Sequence, residues 1–166
     1  MTRKEYQNII AGIYPRMYRV ALALTANADE ACDLTQETLL KLWTGRDRLA
    51  GAANPEAYCM AALRNRFYDM ARARSCDGLA VAVSEDMPLA DNVAGDIVGI
   101  RSDLDLALKL MASLPEAQQR VVRLSSVGGC SNDEIAELTG FSPANVRTLL
   151  SRGRKRIREL FIKYSE

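Results

Sequence analysis

The sequence predicts an all-α protein of two small helical domains joined by a flexible linker, with a helix-turn-helix in the second domain. Three observations lead to this prediction. Apolar residues recur at helical spacing in residues 4–75 and again in residues 100–164, but not in residues 76–99. Helix-start and helix-stop residues lie at the ends of the periodic segments. The length of 166 residues fits one domain or two small ones.

The composition excludes several classes of protein. No apolar run approaches the roughly 18 residues that would cross a bilayer, and the N-terminus lacks the apolar core of a signal peptide. We therefore expect a cytoplasmic protein. The chain has no histidine, which removes Ser/His and Cys/His hydrolases. No two cysteines form a CxxC pair, so we expect no zinc site, no cofactor and no enzyme, and reduced thiols at Cys32, Cys59, Cys76 and Cys130.

Residues 4–75 predict three helices. The second contains DLTQETLLKLW and should end at Gly45. The third should begin with Asn54 as N-cap and Pro55 as the first helical residue, and its apolar stripe should be Met60, Leu63, Phe67 and Met70. In the first, Pro15 is expected to produce a kink. The apolar residues of that first helix recur at Ile9, Ile13, Met17, Val20 and Leu24.

Residues 76–99 predict a linker, because they are rich in small residues, glycine and acids. So long a segment without helical period is unusual inside one compact domain, so we expect a domain boundary and a mobile connection. The predicted domains are residues 1–75 and 100–166. Acids in and after the linker offset the basic C-terminal segment, which keeps the net charge at +1: Glu85, Asp86, Asp91, Asp96, Asp103 and Asp105.

The C-terminal domain predicts a helix-turn-helix. Helices through SDLDLALKLMASL and from Pro115 should precede it. The next helix should start at Ser131, with Glu134 completing a capping box, and should stop at Gly140. Ser142, followed by a proline, should start the last helix. Two helices joined by a short turn that contains glycine are typical of this DNA-binding motif.

The last helix has an apolar arc and a polar, basic arc. At about 100° per residue the apolar arc comprises Val146, Leu149, Leu150, Gly153, Ile157, Leu160 and Phe161. The opposite arc comprises Asn145, Arg147, Thr148, Ser151, Arg152 and Lys155. A solvated helix would more often alternate its charges. Cationic side chains bind DNA phosphates, and Arg, Asn, Thr and Ser can hydrogen-bond to base edges. This helix is therefore predicted to bind DNA.

Three segments in order resemble bacterial sigma factors: DLTQETLLKLW (33–43), NPEAYCMAALRNRFYDMARAR (54–74), and LPEAQQRVVRLSSVGGCSNDEIAELTGFSPANVRTLLSRGRKRIREL (114–160). The chain resembles the extracytoplasmic-function (ECF) group, which keeps only regions 2 and 4. The resemblance implies a factor that binds core RNA polymerase, directs it to promoters and helps to open the DNA. It also implies contacts with the β′ clamp and the β flap of the polymerase, and an anti-sigma factor as a partner.

The resemblance assigns roles to individual residues. On the DLTQE helix the polymerase-binding residues would be Asp33, Gln36, Glu37 and Lys41. The third helix and the loop before it (45–54) would read the −10 element with Asn54, Arg64, Asn65, Tyr68 and Arg72. The basic helix would read the −35 element with its six polar-arc residues. Plain alternatives remain: acids also stabilise a solvated helix N-terminus, and Tyr68 is equally well explained as a packed aromatic.

The chain departs from the family pattern at two places. No aromatic residue lies between Trp43 and Tyr58, where primary sigma factors carry a cluster that helps to melt DNA. This fits the ECF group and implies strict promoter choice. Leu149 stands where recognition helices of the family often have a basic residue, so we expect it either to pack inward or to touch a thymine methyl group.

Two other classes of protein were compared with this interpretation. A helix-turn-helix regulator of the response-regulator or quorum-sensing type would share the C-terminal half. It would also need a receiver or ligand domain, usually α/β, and residues 1–75 show no strands alternating with helices. The third class is an enzyme or a helical adaptor that does not bind DNA. The sequence contains no group of catalytic residues that would support it. Binding to core polymerase separates the three classes.

Overall fold

The computed structural model describes residues 1–76, 106 and 109–165. These residues contain no strand, which confirms the all-α class. The helices are α1 (Arg3–Thr25), α2 (Ala28–Thr44), α3 (Arg46–Ala50), α4 (Pro55–Cys76), α5 (Glu116–Ser126), α6 (Asn132–Thr139) and α7 (Pro143–Ser165). The predicted linker from residue 77 onward, and residues 102–105, 107 and 108 of the helix predicted through SDLDLALKLMASL, lie outside the described residues, whereas residues 106 and 109–112 of that helix are helical. The domain boundaries therefore stay predictions.

The predicted helix ends are confirmed by hydrogen bonds at the caps. Asn54, Ser131 and Ser142 each accept a hydrogen bond from a backbone N–H in the first turn of the following helix, at 3.1 to 3.2 Å. Gly45 ends α2 and Gly140 ends α6. Gly140 has φ 78°, a left-handed conformation that strains residues with a Cβ atom, so the turn between α6 and α7 requires glycine.

The N-terminal domain packs α1, α2 and α4 around a common core. Met17, Leu34 and Leu63, one from each helix, are fully buried. α1 runs as one 23-residue helix through Pro15. Of the predicted stripes, Met17, Val20, Leu24 and Leu63 are buried, and Ile9, Ile13, Met60, Phe67 and Met70 pack partly buried against the core.

The C-terminal domain packs α5 and α6 against α7, and α5 crosses α7 at a glycine. A Cβ atom built on Gly153 would lie 2.7 Å from Cγ2 of Val122, closer than two carbon atoms can approach. The predicted apolar arc of α7 is buried at Val146, Leu150 and Gly153. It is only partly buried further along, and at its end Phe161 is 40% exposed.

The buried side chains of the two domains form one continuous cluster. α1 packs against α5 as well as against its own domain. Among the described residues, no helix is both long and apolar enough to cross a lipid bilayer. In the same part of the chain, no group of three or more Cys, Asp or Glu side chains is arranged to hold a metal ion.

Three cysteines of the described residues are free thiols in different environments. Cys32 is exposed on α2, whereas Cys59 and Cys130 are buried. Burial raises the pKa of Cys59 to about 11, with a smaller contribution from Glu56. Burial likewise raises the pKa of Cys130 to about 11. The thiolate is the reactive form, so the two buried thiols are both shielded and protonated at neutral pH.

We expect iodoacetamide at pH 8 to modify Cys32 in the folded protein and to leave Cys59 and Cys130 unmodified until urea unfolds it. The reason is that Cys32 alone of these three is exposed. Peptide mapping by mass spectrometry with and without urea measures the three sites separately. Equal modification of Cys32 and Cys130 in the folded protein would contradict the burial of Cys130.

Candidate nucleic-acid and polymerase interfaces

The polar face of α2 carries the residues predicted to bind polymerase. Asp33, Gln36 and Lys41 are exposed. Glu37 differs from them, because it is half-buried and its carboxylate accepts a hydrogen bond of 2.6 Å from Nε of Arg66 in α4. Three of the four predicted residues are therefore presented to solvent, and the fourth also joins α2 to α4.

An apolar groove beside this face was missed by the sequence interpretation. Leu40 is 68% exposed, and Tyr14 is 37% exposed across from it. Together with Leu39 and Trp43 they line a groove of about 510 Å³ between α1 and α2. A signal was present in the sequence: LLKLW has four apolar residues in five, more than one face of a helix can bury.

Of the residues predicted to read the −10 element, Asn54 is the exposed N-cap of α4, and the other four divide into two groups on α4. Asn65 and Arg72 are exposed. Arg64 and Tyr68 instead donate hydrogen bonds to the second domain, from Nη1 to the Glu137 carbonyl oxygen at 2.9 Å and from the phenol to the Leu138 carbonyl oxygen at 2.6 Å. In this arrangement Tyr68 is a half-buried aromatic packed in the protein, and its ring is not presented for stacking on a base.

The loop before α4 contains a helix that the sequence interpretation missed. Residues 46–50 form α3, which is anchored by the fully buried Leu49. The guanidinium of Arg46 lies 4.5 Å from the centre of the Trp43 ring, a cation–π contact that holds the start of this helix against α2. Five residues between two glycines are too few to show a helical period, so no sequence pattern could have identified α3.

The polar arc of α7 is fully presented to solvent. All six predicted −35 residues are exposed: Asn145, Arg147, Thr148, Ser151, Arg152 and Lys155. Leu149 is half-buried and packs against the core, which is the inward placement of the two that were predicted. Arg154, outside the predicted set, donates a hydrogen bond of 2.9 Å to Oγ of Ser125 and so ties α7 to α5.

Polar contacts join the two domains at two further points. The guanidinium of Arg16 in α1 bonds to the carboxylates of both Glu56 in α4 and Glu134 in α6, and these bonds raise the pKa of Arg16. Nε of Arg123 in α5 donates to the Ala23 carbonyl oxygen at 3.1 Å. Burial lowers the pKa of Arg123 to about 10, and the neighbouring Arg120 adds to the effect.

The geometry first defines a class. A helix-turn-helix with an exposed cationic face, attached to a helical domain with its own polar and apolar surfaces, is a DNA-binding transcription protein.

Comparison with known proteins gives the family. Residues 9–75 match the family model described as Sigma-70 region 2, and residues 104–157 match the one described as Sigma-70, region 4. The ECF RNA polymerase sigma factor SigE of Mycolicibacterium smegmatis is 31% identical over 156 residues, which are 90% of this chain and 59% of SigE. The RNA polymerase sigma factor CarQ of Myxococcus xanthus is 31% identical over 160 residues, which are 93% of this chain and 88% of CarQ.

A solved structure is similar across both domains. It is the sigma factor RpoE of Bartonella quintana in complex with the anti-sigma factor NepR, with a TM-score of 0.63 and 26% sequence identity over 95% of this chain and 97% of that one. The chain belongs to the sigma-70 family, in its ECF group, with regions 2 and 4. The helix-turn-helix regulator with a different N-terminal domain is not supported, because residues 9–75 match region 2.

Proposed function

We propose that this ECF sigma factor works in the cytoplasm without catalytic activity of its own, and that it uses α2 to bind core RNA polymerase, α4 to read the −10 element and α7 to read the −35 element. One observation carries the proposal: a single chain combines an exposed polar face on α2 with an exposed cationic reading face on α7. A DNA-binding domain alone would not need the first of these faces.

The α2 surface has the character of a protein-binding site. Asp33, Gln36 and Lys41 supply charge and hydrogen-bonding groups. Leu40 supplies an apolar side chain, and this residue is 68% exposed. A large exposed leucine next to a groove is typical of a site that a partner covers, with polar residues at the rim. Asp33 and Gln36 suit the basic coiled coil that the family resemblance places on the β′ clamp.

We expect Asp33→Ala combined with Leu40→Ala to weaken binding to core polymerase about tenfold or more, because a few residues carry most of the binding energy of an interface and tenfold corresponds to about 1.4 kcal/mol. Fluorescence anisotropy of the labelled protein with purified core polymerase measures the dissociation constant. Glu37 is left intact, because its carboxylate bonds to Arg66 and joins α2 to α4.

The matched control is Asp29→Ala, which removes the same charge from an exposed position one turn earlier on α2. It should leave the dissociation constant within about twofold of the native value, since surface charges away from an interface contribute little. If the double variant binds core polymerase as well as the control does, α2 is not the polymerase-binding face.

We also propose an anti-sigma factor as a partner. The proposal is supported by the solved RpoE complex, in which a chain of similar fold is bound to NepR. Affinity capture with the tagged protein from its own cells, followed by competition with core polymerase, tests it. A captured protein that core polymerase displaces would support the proposal. Recovery of core polymerase as the one partner would contradict it.

A further inference from the structure

A pocket lies where the C-terminal half of α4 meets α1, α2 and α5. Its volume of about 330 Å³ falls within the range of small-molecule sites in proteins. Its walls are mostly apolar and include Leu24 of α1 and Phe67 and Met70 of α4. Among the described residues, it shares no lining with the groove beside Leu40. The pocket is therefore separate from the surface that α2 offers to polymerase.

Three arginines stand around the apolar walls. Arg72 and Arg74 come from the end of α4, and Arg120 comes from α5. Arg72 lies 3.9 Å from Asp69, which is too far for a hydrogen bond, and Arg74 lies 3.2 Å from Glu30 through one nitrogen. A guanidinium carries five N–H groups, so these carboxylates leave most of the donors unused.

Arg120 differs from the other two because its side chain is only 18% exposed. Its Nη2 bonds to Glu116 at 3.3 Å, whereas its buried Nε has no hydrogen-bond partner within the described part of the chain. A buried donor without a partner is costly, and a bound group that accepts from it is one explanation. Burial and the charge of Arg120 together lower the pKa of Arg123 to about 10. A bound anion would relieve this repulsion between two buried arginines.

The neutral polar groups of the pocket narrow the class of ligand. The Thr25 hydroxyl donates to the Ala21 carbonyl oxygen at 2.9 Å, and the Tyr68 hydroxyl donates to the Leu138 carbonyl oxygen at 2.6 Å. Neither hydroxyl has a hydrogen left to donate. A nucleobase or a sugar would bury several hydrogen-bonding atoms there with few partners, which is unfavourable. A flat apolar body with one carboxylate fits better, because a guanidinium binds a carboxylate through two parallel hydrogen bonds.

We propose that this pocket binds a small aromatic carboxylate, with its ring against Phe67 and Met70 and its carboxylate beside Arg120. The proposal goes beyond the proposed function, which involves no small molecule. The ligand contacts both domains, because Arg120 belongs to region 4 and the apolar walls belong to region 2. Since it binds only the folded protein, it also raises the melting temperature.

The probe is 2-naphthoate, a carboxylate on two fused rings, titrated into the full-length protein by isothermal titration calorimetry. We expect one site with a dissociation constant below about 1 mM, and a higher melting temperature with the probe present. The alcohol 2-naphthalenemethanol has the same rings without the charge and should bind at least about tenfold more weakly. AMP tests a nucleotide as the alternative ligand, since Tyr68 and Arg72 in the lining were predicted to read DNA. AMP should also bind at least about tenfold more weakly.

Two pairs of variants place the probe in the pocket. Arg120→Gln removes the guanidinium and should weaken binding of 2-naphthoate at least about fivefold. Its control, Arg154→Gln, removes an exposed arginine that bonds to Ser125 outside the pocket, and should leave binding unchanged. Ala71→Phe adds a ring to the pocket lining and should weaken binding, whereas Ala73→Phe, at an exposed position of α4 outside the lining, should not. The second pair keeps the test decisive if Arg120→Gln fails to fold.

Binding of 2-naphthoate that the pocket variants weaken and the controls preserve would support the proposal. Absence of binding up to about 1 mM would overturn it, as would equal binding of the uncharged alcohol. Binding that neither pocket variant weakens would place the probe elsewhere, and tighter binding of AMP would make the ligand a nucleotide; both results contradict the proposal. None of these measurements involves polymerase or promoter DNA, so a negative result leaves the proposed function standing.

Discussion

Replacing Gly153 with alanine is expected to lower the free energy of unfolding by about 1–3 kcal/mol, the usual cost of overpacking a core. Helix propensity alone predicts the opposite sign, since alanine is favoured over glycine inside a helix by about 1 kcal/mol. Packing should decide, because the new Cβ atom would lie 2.7 Å from Cγ2 of Val122. A β-branched side chain has few rotamers into which it can withdraw.

The matched control for this prediction is Gly12→Ala in α1. Gly12 is also inside a 23-residue helix, but a Cβ atom added there meets nothing within 4 Å. Gly12→Ala should raise the free energy of unfolding by about 0.5–1 kcal/mol, because only the higher helix propensity of alanine changes. Combining Gly153→Ala with Val122→Ala should recover part of the loss, because the second change removes the clashing methyl groups. Urea unfolding of the native protein and these three variants measures the differences. A stabilising Gly153→Ala would mean that α5 and α7 cross less closely.

On the −35 element, we expect Arg147→Ala to lose about 1–3 kcal/mol of discrimination at one base position, and Lys155→Ala to weaken binding to every sequence alike. Arg147 lies in the first turns of α7, where side chains of a recognition helix reach base edges. Lys155 lies two turns further along, where phosphates are the nearer target. Both are exposed, so neither change should alter the fold.

Binding to a panel of −35 variants at several salt concentrations separates the two effects. Loss of a phosphate contact should reduce the slope of log affinity against log salt by about one. Arg152→Ala, on the same arc, should behave as Arg147→Ala does, but at a neighbouring base position. Uniform loss of affinity in all three variants, with base preference unchanged, would make α7 an electrostatic anchor and not a reader of sequence.

Local features were predicted well because their physical causes are local. Asn54, Ser131 and Ser142 cap helices as expected, because a cap is a hydrogen bond between residues two or three apart. The apolar stripes also placed part of the core, since helical period alone puts those residues on one face: Met17, Val20, Leu24, Leu63, Val146 and Leu150 are buried. Two local features were missed. α3 is too short to show a period, and Leu40 belongs to a stretch with more apolar residues than its helix could bury.

The sequence by itself determined the helices other than α3, their caps, the cationic face of α7 and, through resemblance, the family. Only the tertiary structure decided that Arg64 and Tyr68 meet α6 and that Arg16 joins acids of both domains. Arg64 and Tyr68 bond to backbone carbonyl groups 73 and 70 residues away in the chain. Every residue carries a carbonyl group, so no side-chain pattern marks the acceptors. Their pairing exists only once the packing of α1 on α5 has brought the two domains together.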